Sequence, residues 1–357
     1  MRKRDIANIA FLILISLGVS LILDSIGMVL PYLFGAMVTA ILYTKFISND
    51  FNYPAWLQNV GLLIIGLEIG STFRQDSVGE MLDDWFNIVL ITVLVVILSI
   101  FLAFVFKRMT NSTTETALLA SIPGALSQML IMAEEDERAD LLLVTITQTS
   151  RIVLVVVIVP FIASYFILED ATYSLVQSDI VNFTTLGIWN MLLMVLGALV
   201  IIFILTKLNF AVPILLGPIF AAVIWNFTVD IDFTMNMELM YVAQILFGLR
   251  IGIQIRALIS DLDARTLGAM LLHNIFLILG TLVIVVIYLM FTDHDFNNLF
   301  LAAAPGGIGQ IIIVASEMGS DIAMISSYHL FRIFFIIILV APLVGWYLKW
   351  TAKKGKS

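Results

Sequence analysis

Ten apolar stretches recur along the chain, at about residues 6–24, 26–44, 55–73, 86–106 and 140–166, then 185–206, 211–227, 239–255, 267–291 and 321–348. A helical span needs roughly 20 apolar residues, so the pattern predicts a stack of membrane helices joined by short connections. Before the last stretch of each set lies something different. Residues 114–133 and 298–316 are apolar but interrupted, by Ser121-Ile122-Pro123-Gly124-Ala125-Leu126-Ser127-Gln128 and by Ala304-Pro305-Gly306-Gly307-Ile308-Gly309-Gln310. Proline removes a backbone donor and glycine loosens a helix, so each segment reads as two helical arms joined by non-helical backbone. Residues 167–184 carry Glu169, Asp170 and Asp179 without Lys or Arg and read as a polar linker. Tyr53, Trp56, Trp85, Trp189, Trp225 and Trp350 fall near span ends, where interfacial aromatic anchors belong.

Composition agrees. Of 357 residues 61% are hydrophobic and 12% charged, about half the charged share of an ordinary soluble domain. The spans leave no room here for a sizeable extramembrane catalytic or nucleic-acid-binding domain, and a net charge of -8 argues against a nucleic-acid partner. The bilayer is the first partner. The absence of cysteine removes disulfides and thiolate sites. Three histidines, His273, His294 and His329, are too scattered for a metal cluster, so neither metal nor other cofactor is expected. Arg2-Lys3-Arg4 and the apolar run after it read as a retained first helix with its basic flank in the cytoplasm.

The chain repeats itself. Pro31 and Pro213, Gly35 and Gly217, Gly66 and Gly248, Gly70 and Gly252, Arg74 and Arg256, Pro123 and Pro305, and Gln128 and Gln310 are all separated by 182 positions. After Glu135 and Glu317 the offset becomes 181, pairing Asp140 with Asp321 and Arg151 with Arg332. Chance matching of apolar segments would share Leu and Ile, but not Pro, Gly, Arg and Gln in order. The halves are therefore 1–166 and 185–348, with an extracytoplasmic linker 167–184 and a basic cytoplasmic tail 349–357.

Orientation decides what the duplication means. If each interrupted segment crosses the membrane, the halves run parallel; if each is a re-entrant hairpin, they are inverted. Setting aside Arg151, Arg250 and Arg332, which lie within spans, fifteen of the eighteen Lys and Arg residues remain. The parallel arrangement puts ten inside and five outside, whereas the inverted one leaves only Arg74 outside, and the positive-inside rule prefers it. The expected fold is an all-α integral membrane protein of two inverted repeats, each of about five transmembrane helices and one Pro-Gly-interrupted, re-entrant segment. Such repeats with paired breaks are the pattern of secondary transporters. The bland alternative is that Pro-Gly merely kinks two packed helices.

Intramembrane charges add candidates. Glu68 and Arg250 occupy equivalent positions, each between glycines of a small-xxx-small pattern, and equivalent positions approach each other near a repeat axis. An ion pair there serves either packing of the halves or coupling to a proton or sodium ion; the glycines need only close helix contact to explain them. Thr145, Gln148 and Arg151 share one helical face by i, i+3 spacing, as do Ser326, His329 and Arg332. Two arginines in polar stripes point to an anionic solute, unless they snorkel to the interface. Histidine ordinarily titrates near neutral pH, which makes His329 a candidate for coupling transport to protons; the plainer alternative is a satisfied packing residue. The candidate solute site is Pro123, Gly124, Ser127, Gln128, Pro305, Gly306, Gly307 and Gln310 with Arg151 and Arg332.

With the paired motifs Ile122 to Gln128 and Ala304 to Gln310 in a duplicated helical chain, the sequence resembles the membrane AbrB family, whose members often carry the label of an ammonia monooxygenase. The family's Pro-Gly-Gly stands at Pro305 to Gly307 but is Pro-Gly-Ala at Pro123 to Ala125. The resemblance implies a bacterial cytoplasmic-membrane protein linked by name to regulation of gene expression. Two functions stand side by side: a secondary transporter of a small anionic solute, as a monomer or a homodimer, and a membrane sensor that affects gene expression indirectly. An oxidoreductase lacks converging ligands, so no enzyme activity is expected.

The inverted arrangement is directly testable because the chain has no cysteine. Single cysteines at Ala139 and Gly319, labelled with an impermeant thiol reagent in intact cells and in opened membranes, should report Ala139 inside and Gly319 outside. Labelling of Ala139 from outside would make the first interrupted segment a span and the halves parallel.

Overall fold

The computed structural model describes residues 3–47, 53–166, 181–208, 210, 212–229, 231–260 and 263–354. Most of the expected linker, residues 167–180, and the tail from 355 lie outside them. The fold is all-α in character, 83% helical. The first half of the chain forms α1 (Lys3–Ser25), α2 (Pro31–Phe46), α3 (Ala55–Thr72), α4 (Gln75–Asp83), α5 (Trp85–Thr110), α6 (Thr114–Ser121), α7 (Leu126–Glu135) and α8 (Leu141–Tyr165). Then come β1 (Val181–Asn182), α9 (Ile188–Lys207), α10 (Pro213–Thr228), β2 (Phe233–Thr234), α11 (Met237–Ser260), α12 (Ala264–Tyr288), α13 (Phe296–Ala303), α14 (Ile308–Glu317), α15 (Ile322–Phe335) and α16 (Ala341–Lys354). A π turn, Ile336–Val340, joins α15 to α16. It precedes Pro342, whose missing N–H leaves the Ile338 carbonyl without its helical donor.

Among the described residues, seven helices are long and apolar enough to cross a membrane. Ten spans were expected. The difference lies in α2 and α10, at 16 residues each, and in α3, which at 18 residues carries Gln58, Asn59 and Glu68; at 1.5 Å per residue α2 and α10 reach roughly 24 Å, short of a hydrocarbon core of about 30 Å.

The element boundaries keep the offset of 182 seen in the residues. Pro31 and Pro213 open α2 and α10, each preceded by a non-glycine residue in the left-handed region, Leu30 at φ 54° and Val212 at φ 53°. Thr113 and Asp295 cap α6 and α13, accepting from the amides of Thr116 and Asn298. Both arms then stop before a proline. Ile122 and Ala304 take extended ψ of 120° and 133°, because the proline ring disfavours the helical region for the residue before it. At φ 98°, Gly124 holds a conformation that side-chain-bearing residues rarely adopt.

The chain divides into two compact units, each drawing on both halves. The first comprises Met1–Glu80, Leu168–Ser260 and Ile312–Ala323. Here α2 packs on α11 and α3 on α10 through bare glycine backbone. A Cβ at Gly66 would lie 2.8 Å from the Leu215 carbonyl oxygen, and one at Gly70 would lie 2.5 Å from that of Ile219. Gly248 and Gly252 meet the Leu33 and Met37 carbonyls in the same way, so each contact recurs at the repeat offset. The partners come in the same order along both helices, so α3 runs with α10 and α11 with α2. In contrast, α3 and α11 run in opposite directions: Tyr53, just before α3, donates to the Leu246 carbonyl, Gly61 faces Ala243, and Glu68 meets Met235 just before α11. Gly61 and Ala243 are equivalent residues.

The second unit comprises Met81–Ile167, Asp261–Ile311 and Met324–Ser357. The equivalent helices α5 and α12 again pair in opposite directions, through Asn87 with Tyr288, Leu98 with Gly280, and Phe106 with His273. Leu98 and Gly280 are themselves equivalent residues. Both broken segments belong to this unit up to Ile311, and the rest of α14 is counted with the first unit.

Where a new side chain would meet backbone, the structure cannot yield cheaply. Gly70→Val and Gly252→Val should each destabilise the protein by roughly 1–3 kcal/mol, the usual cost of overpacking. Gly18→Ala, with nothing within 4 Å of the added carbon, should lose nothing; thermal unfolding of the three variants in detergent checks the contrast.

Candidate functional site

A helix that stops inside an apolar environment leaves up to four carbonyl groups without donors, at the negative end of its dipole. The second unit contains two such ends, those of α6 and α13. Each is answered by the long helix that follows it. From α8, Arg151 donates from Nη2 to the Ala120 carbonyl at 2.6 Å, and Gln148 donates from Nε2 to the carbonyls of Leu119 at 2.8 Å and Ile122 at 3.0 Å. From α15, Arg332 donates from Nη1 to Ala303 at 3.1 Å and from Nη2 to Gly306 at 3.3 Å, while His329 Nε2 lies 2.9 Å from the Leu301 carbonyl oxygen. The i, i+3 spacing makes this a two-pronged cap, repeated at the offset of 181.

Both arginines are 2% exposed, and neither forms an ion pair with a carboxylate among the described residues. They do not snorkel. The charge of Arg332 reaches Arg151, so two cations share one apolar interior, where each costs roughly 2.5–3.5 kcal/mol on insertion scales. They are not equally committed. Arg151 spends all three nitrogens, on Asn274 Oδ1 at 3.3 Å, Gln148 Oε1 at 3.2 Å and Ala120. Arg332 keeps Nε buried and without a partner. That atom faces the first break, 3.5 Å from where a Cβ of Gly124 would stand.

The breaks cross-pack. Gly124 lies against Arg332 and Ile336, and Gly306 against Val155, its Cβ position 2.6 Å from Val155 Cγ1; Val155 and Ile336 are again equivalent. Pro123, Gly124, Pro305, Gly306, Arg151, Arg332 and His329 thus come together. Gly307 and Gln310 follow on the second break, with the Gln310 side chain folded over Gly307. Ser127 is exposed, whereas Gln128 is half-buried and lines a cavity of about 730 Å³ between α7 and α16. No side chain caps α7 at Ala125, so its first-turn amides lack intrahelical acceptors beside the buried Arg332 Nε. At the far end of the cavity Arg138 ties the loop after α7 to α16, reaching Asp136 at 2.7 Å, Glu115 at 2.8 Å and the Leu348 carbonyl at 2.7 Å. The hydrogen bond from Arg138 holds the Asp136 carboxyl below its ordinary value.

Glu68 and Arg250 belong to the first unit and do not form the expected ion pair. The Glu68 carboxylate accepts from the Met235 amide at 2.9 Å and from Thr234 at 3.5 Å, while Arg250 bears on Tyr53. The reason is the crossing point: α3 and α11 meet at Gly61 and Ala243, so seven residues further along oppositely directed helices the two charges have moved apart. The histidines also go to separate places. His294 sits by Asp84 and Asn87, His273 packs on Phe106, and His329 contacts Arg332. Among the described residues, no group of three or more His, Asp or Glu could hold a metal.

Sequence reasoning passed over Asn274, which also donates to the Thr147 carbonyl and Ser150 Oγ. A lone Asn inside the apolar run 267–291 was the available signal. Replacing Gln148 by Leu leaves the Leu119 and Ile122 carbonyls unanswered and should cost roughly 1–3 kcal/mol, read as a lower unfolding midpoint; Thr145→Val, removing only a hydroxyl bonded to its own helix, should change little.

A protein of Bacillus subtilis (strain 168) named YhjN is 24% identical over 299 residues, covering 80% of this chain and 77% of its own. A protein of Escherichia coli (strain K12) that carries the name of a regulator, AbrB, is 24% identical over 341 residues, covering 94% and 96%. The profile described as transition state regulatory protein AbrB matches residues 32–348, and the chain belongs to the AbrB family.

Proposed function

We propose that the protein is a secondary transporter that moves a small anionic solute by alternating access. The observation that carries this reading is Arg332: a buried guanidinium between two helix breaks, without a carboxylate partner among the described residues and with Nε unspent. An anion placed there would meet Arg332 Nε, Gln128 and the free amides that open α7, the combination of fixed charge and helix N-terminus that binds anions elsewhere. Pro123, Gly124, Ser127, Pro305, Gly306, Gly307 and Gln310 shape the site, and Arg151 holds the first break in place. The cavity that begins at Gln128 is of a size that takes a small organic molecule.

The inverted arrangement is part of the same reading. It is supported by equivalent helices that run in opposite directions in each unit, α3 with α11 and α5 with α12, and meet at equivalent residues. In this reading the breaks are the tips of re-entrant segments entering from opposite faces. The chain resides in the cytoplasmic membrane of a bacterium with both termini inside, and it performs no catalytic step on the solute. Homodimer assembly rests on analogy with other transporters alone.

A second reading is favoured by the name of the Escherichia coli relative: a membrane sensor that uses the same pocket and alters gene expression through a partner. A deletion strain whose transcriptional defect is restored equally by wild type and by Arg332→Gln would favour a scaffold over both sensing and transport.

For transport, the decisive experiment combines thermal shift and liposome flux over a panel of organic and inorganic anions. At least one anion should raise the unfolding temperature and be carried. Arg332→Gln should bind it roughly 10- to 100-fold more weakly, as expected for losing a charge-assisted hydrogen bond. If no anion stabilises or crosses with the wild-type protein, the reading fails.

A further inference from the structure

The two helix-end caps are built alike but not from the same chemistry. Arginine has donors only, so the contact of 2.7 Å between Arg332 Nη2 and His329 Nδ1 is one in which the imidazole nitrogen accepts. The hydrogen of the neutral ring is therefore on Nε2, which donates to the Leu301 carbonyl at 2.9 Å. In the other half Gln148 makes the same two bonds: Oε1 accepts from Arg151, and Nε2 donates to Leu119, the equivalent of Leu301. An amide does this work at one break and an imidazole at the other. Of the two, only the imidazole has a ring-nitrogen lone pair that a proton can take.

A proton arriving from water can take only the Nδ1 lone pair, since Nε2 already carries hydrogen. Nδ1 then becomes a donor facing donors, the Arg332 contact is lost, and two adjacent cations repel. The charged group that bears on His329 is Arg332 from its own helix, with Arg151 from α8 bearing on Arg332 in turn; α13 faces the ring with the Leu301 carbonyl. Arg332 Nη2 is shared between His329 and the Gly306 carbonyl, so its displacement loosens the second break directly and reaches the first only through the contact with Gly124. An anion beside Arg332 supplies the opposite charge that the protonated pair lacks.

We propose that His329 Nδ1 is the proton-binding site of the solute pathway, so that one proton and one anion load together as co-substrates. This rests on the transporter reading and deepens it by naming the coupling ion. Loading with a monoanion adds no net charge, and by linkage each ligand strengthens the other's binding by the same factor.

The test is backbone hydrogen exchange on the full chain in lipid nanodiscs, followed as pH is lowered from about 8, without and with a stabilising anion, and corrected for the intrinsic pH dependence of exchange. In the wild type, residues 301–311 should exchange severalfold faster as pH falls, at a higher pH with the anion than without it, while residues 119–129, which meet Arg332 only at Gly124, change less. His329→Gln, which installs the side chain used at the other break, should abolish the response. Gln148→His should transfer it to residues 119–129, and that variant serves alone if His329→Gln does not assemble. A flat response of residues 301–311 in the wild type, or an unaltered one in His329→Gln, overturns the proposal. A second arm adds acetate, benzoate, sulfate and phosphate to weakly buffered protein and follows proton uptake. An anion that stabilises the wild type should draw in protons, and His329→Gln should show a weaker stabilisation, reduced by the lost coupling, without the uptake; equal uptake by both overturns the assignment. Absence of stabilisation by any of the four counts against the anion site, while the exchange result still decides the proton site.

Discussion

The bond between a guanidinium and the carbonyl end of a broken helix is the interaction on which the second unit depends. In an apolar medium an interrupted helix exposes acceptors that no solvent answers, and each unanswered group costs several kcal/mol. Arginine suits the task because its planar fork has five donors and no acceptor of its own to satisfy. Arg151 and Arg332, each aided by the side chain three residues before it, keep α6 and α13 ended where Pro123 and Pro305 end them. The solution carries a cost of its own kind, since it leaves positive charge in the interior with no carboxylate beside it. Stabilising the breaks and creating an anion-attracting interior are the same act.

Duplication gives two copies of this device, and their divergence separates a fixed part from a responsive one. Arg151 is bound at every nitrogen and is steadied by Asn274 from α12. Arg332 is bound at the tip, free at Nε, and leans on an imidazole. Two equal copies would make a symmetric object with no preferred place for chemistry; unequal copies concentrate adaptability at one of them. The same inequality appears in the motif itself, where Gly307 stands opposite Ala125.

Much of this was legible in the residues because duplication turns a single sequence into its own comparison. The offsets of 182 and 181 located the breaks to the residue, and the i, i+3 stripes singled out Gln148, Arg151, His329 and Arg332 before any contact was known. What the stripes could not reveal was direction: a helical face says that a side chain avoids lipid, not that it reaches back to the carbonyls of the preceding arm. The pairing of Glu68 with Arg250 was misjudged for a related reason. Equivalent residues meet only where the repeat axis passes, and nothing local in the sequence distinguishes Gly61 and Ala243 from the other small residues of α3 and α11. The short α4, the left-handed Leu30 and Val212 and the cavity at Gln128 also arise from tertiary placement, which hydropathy does not encode.

The glycine contacts of the first unit bear on how the protein is made. α3 rests its glycine contacts on α10, and α2, although its Gly35 packs on Ser20 of α1, is also met closely by Gly248 and Gly252 of α11, so these two pairings cannot close within the first half. During synthesis α3 and the α11-facing side of α2 must wait in the bilayer, helical but unpacked, while well over a hundred further residues are added, because helices in lipid form first and associate afterwards. Translation order and packing order are therefore decoupled. The first half is an intermediate with its glycine grooves exposed to lipid, and the step that commits the chain to its fold is the arrival of α10 and α11.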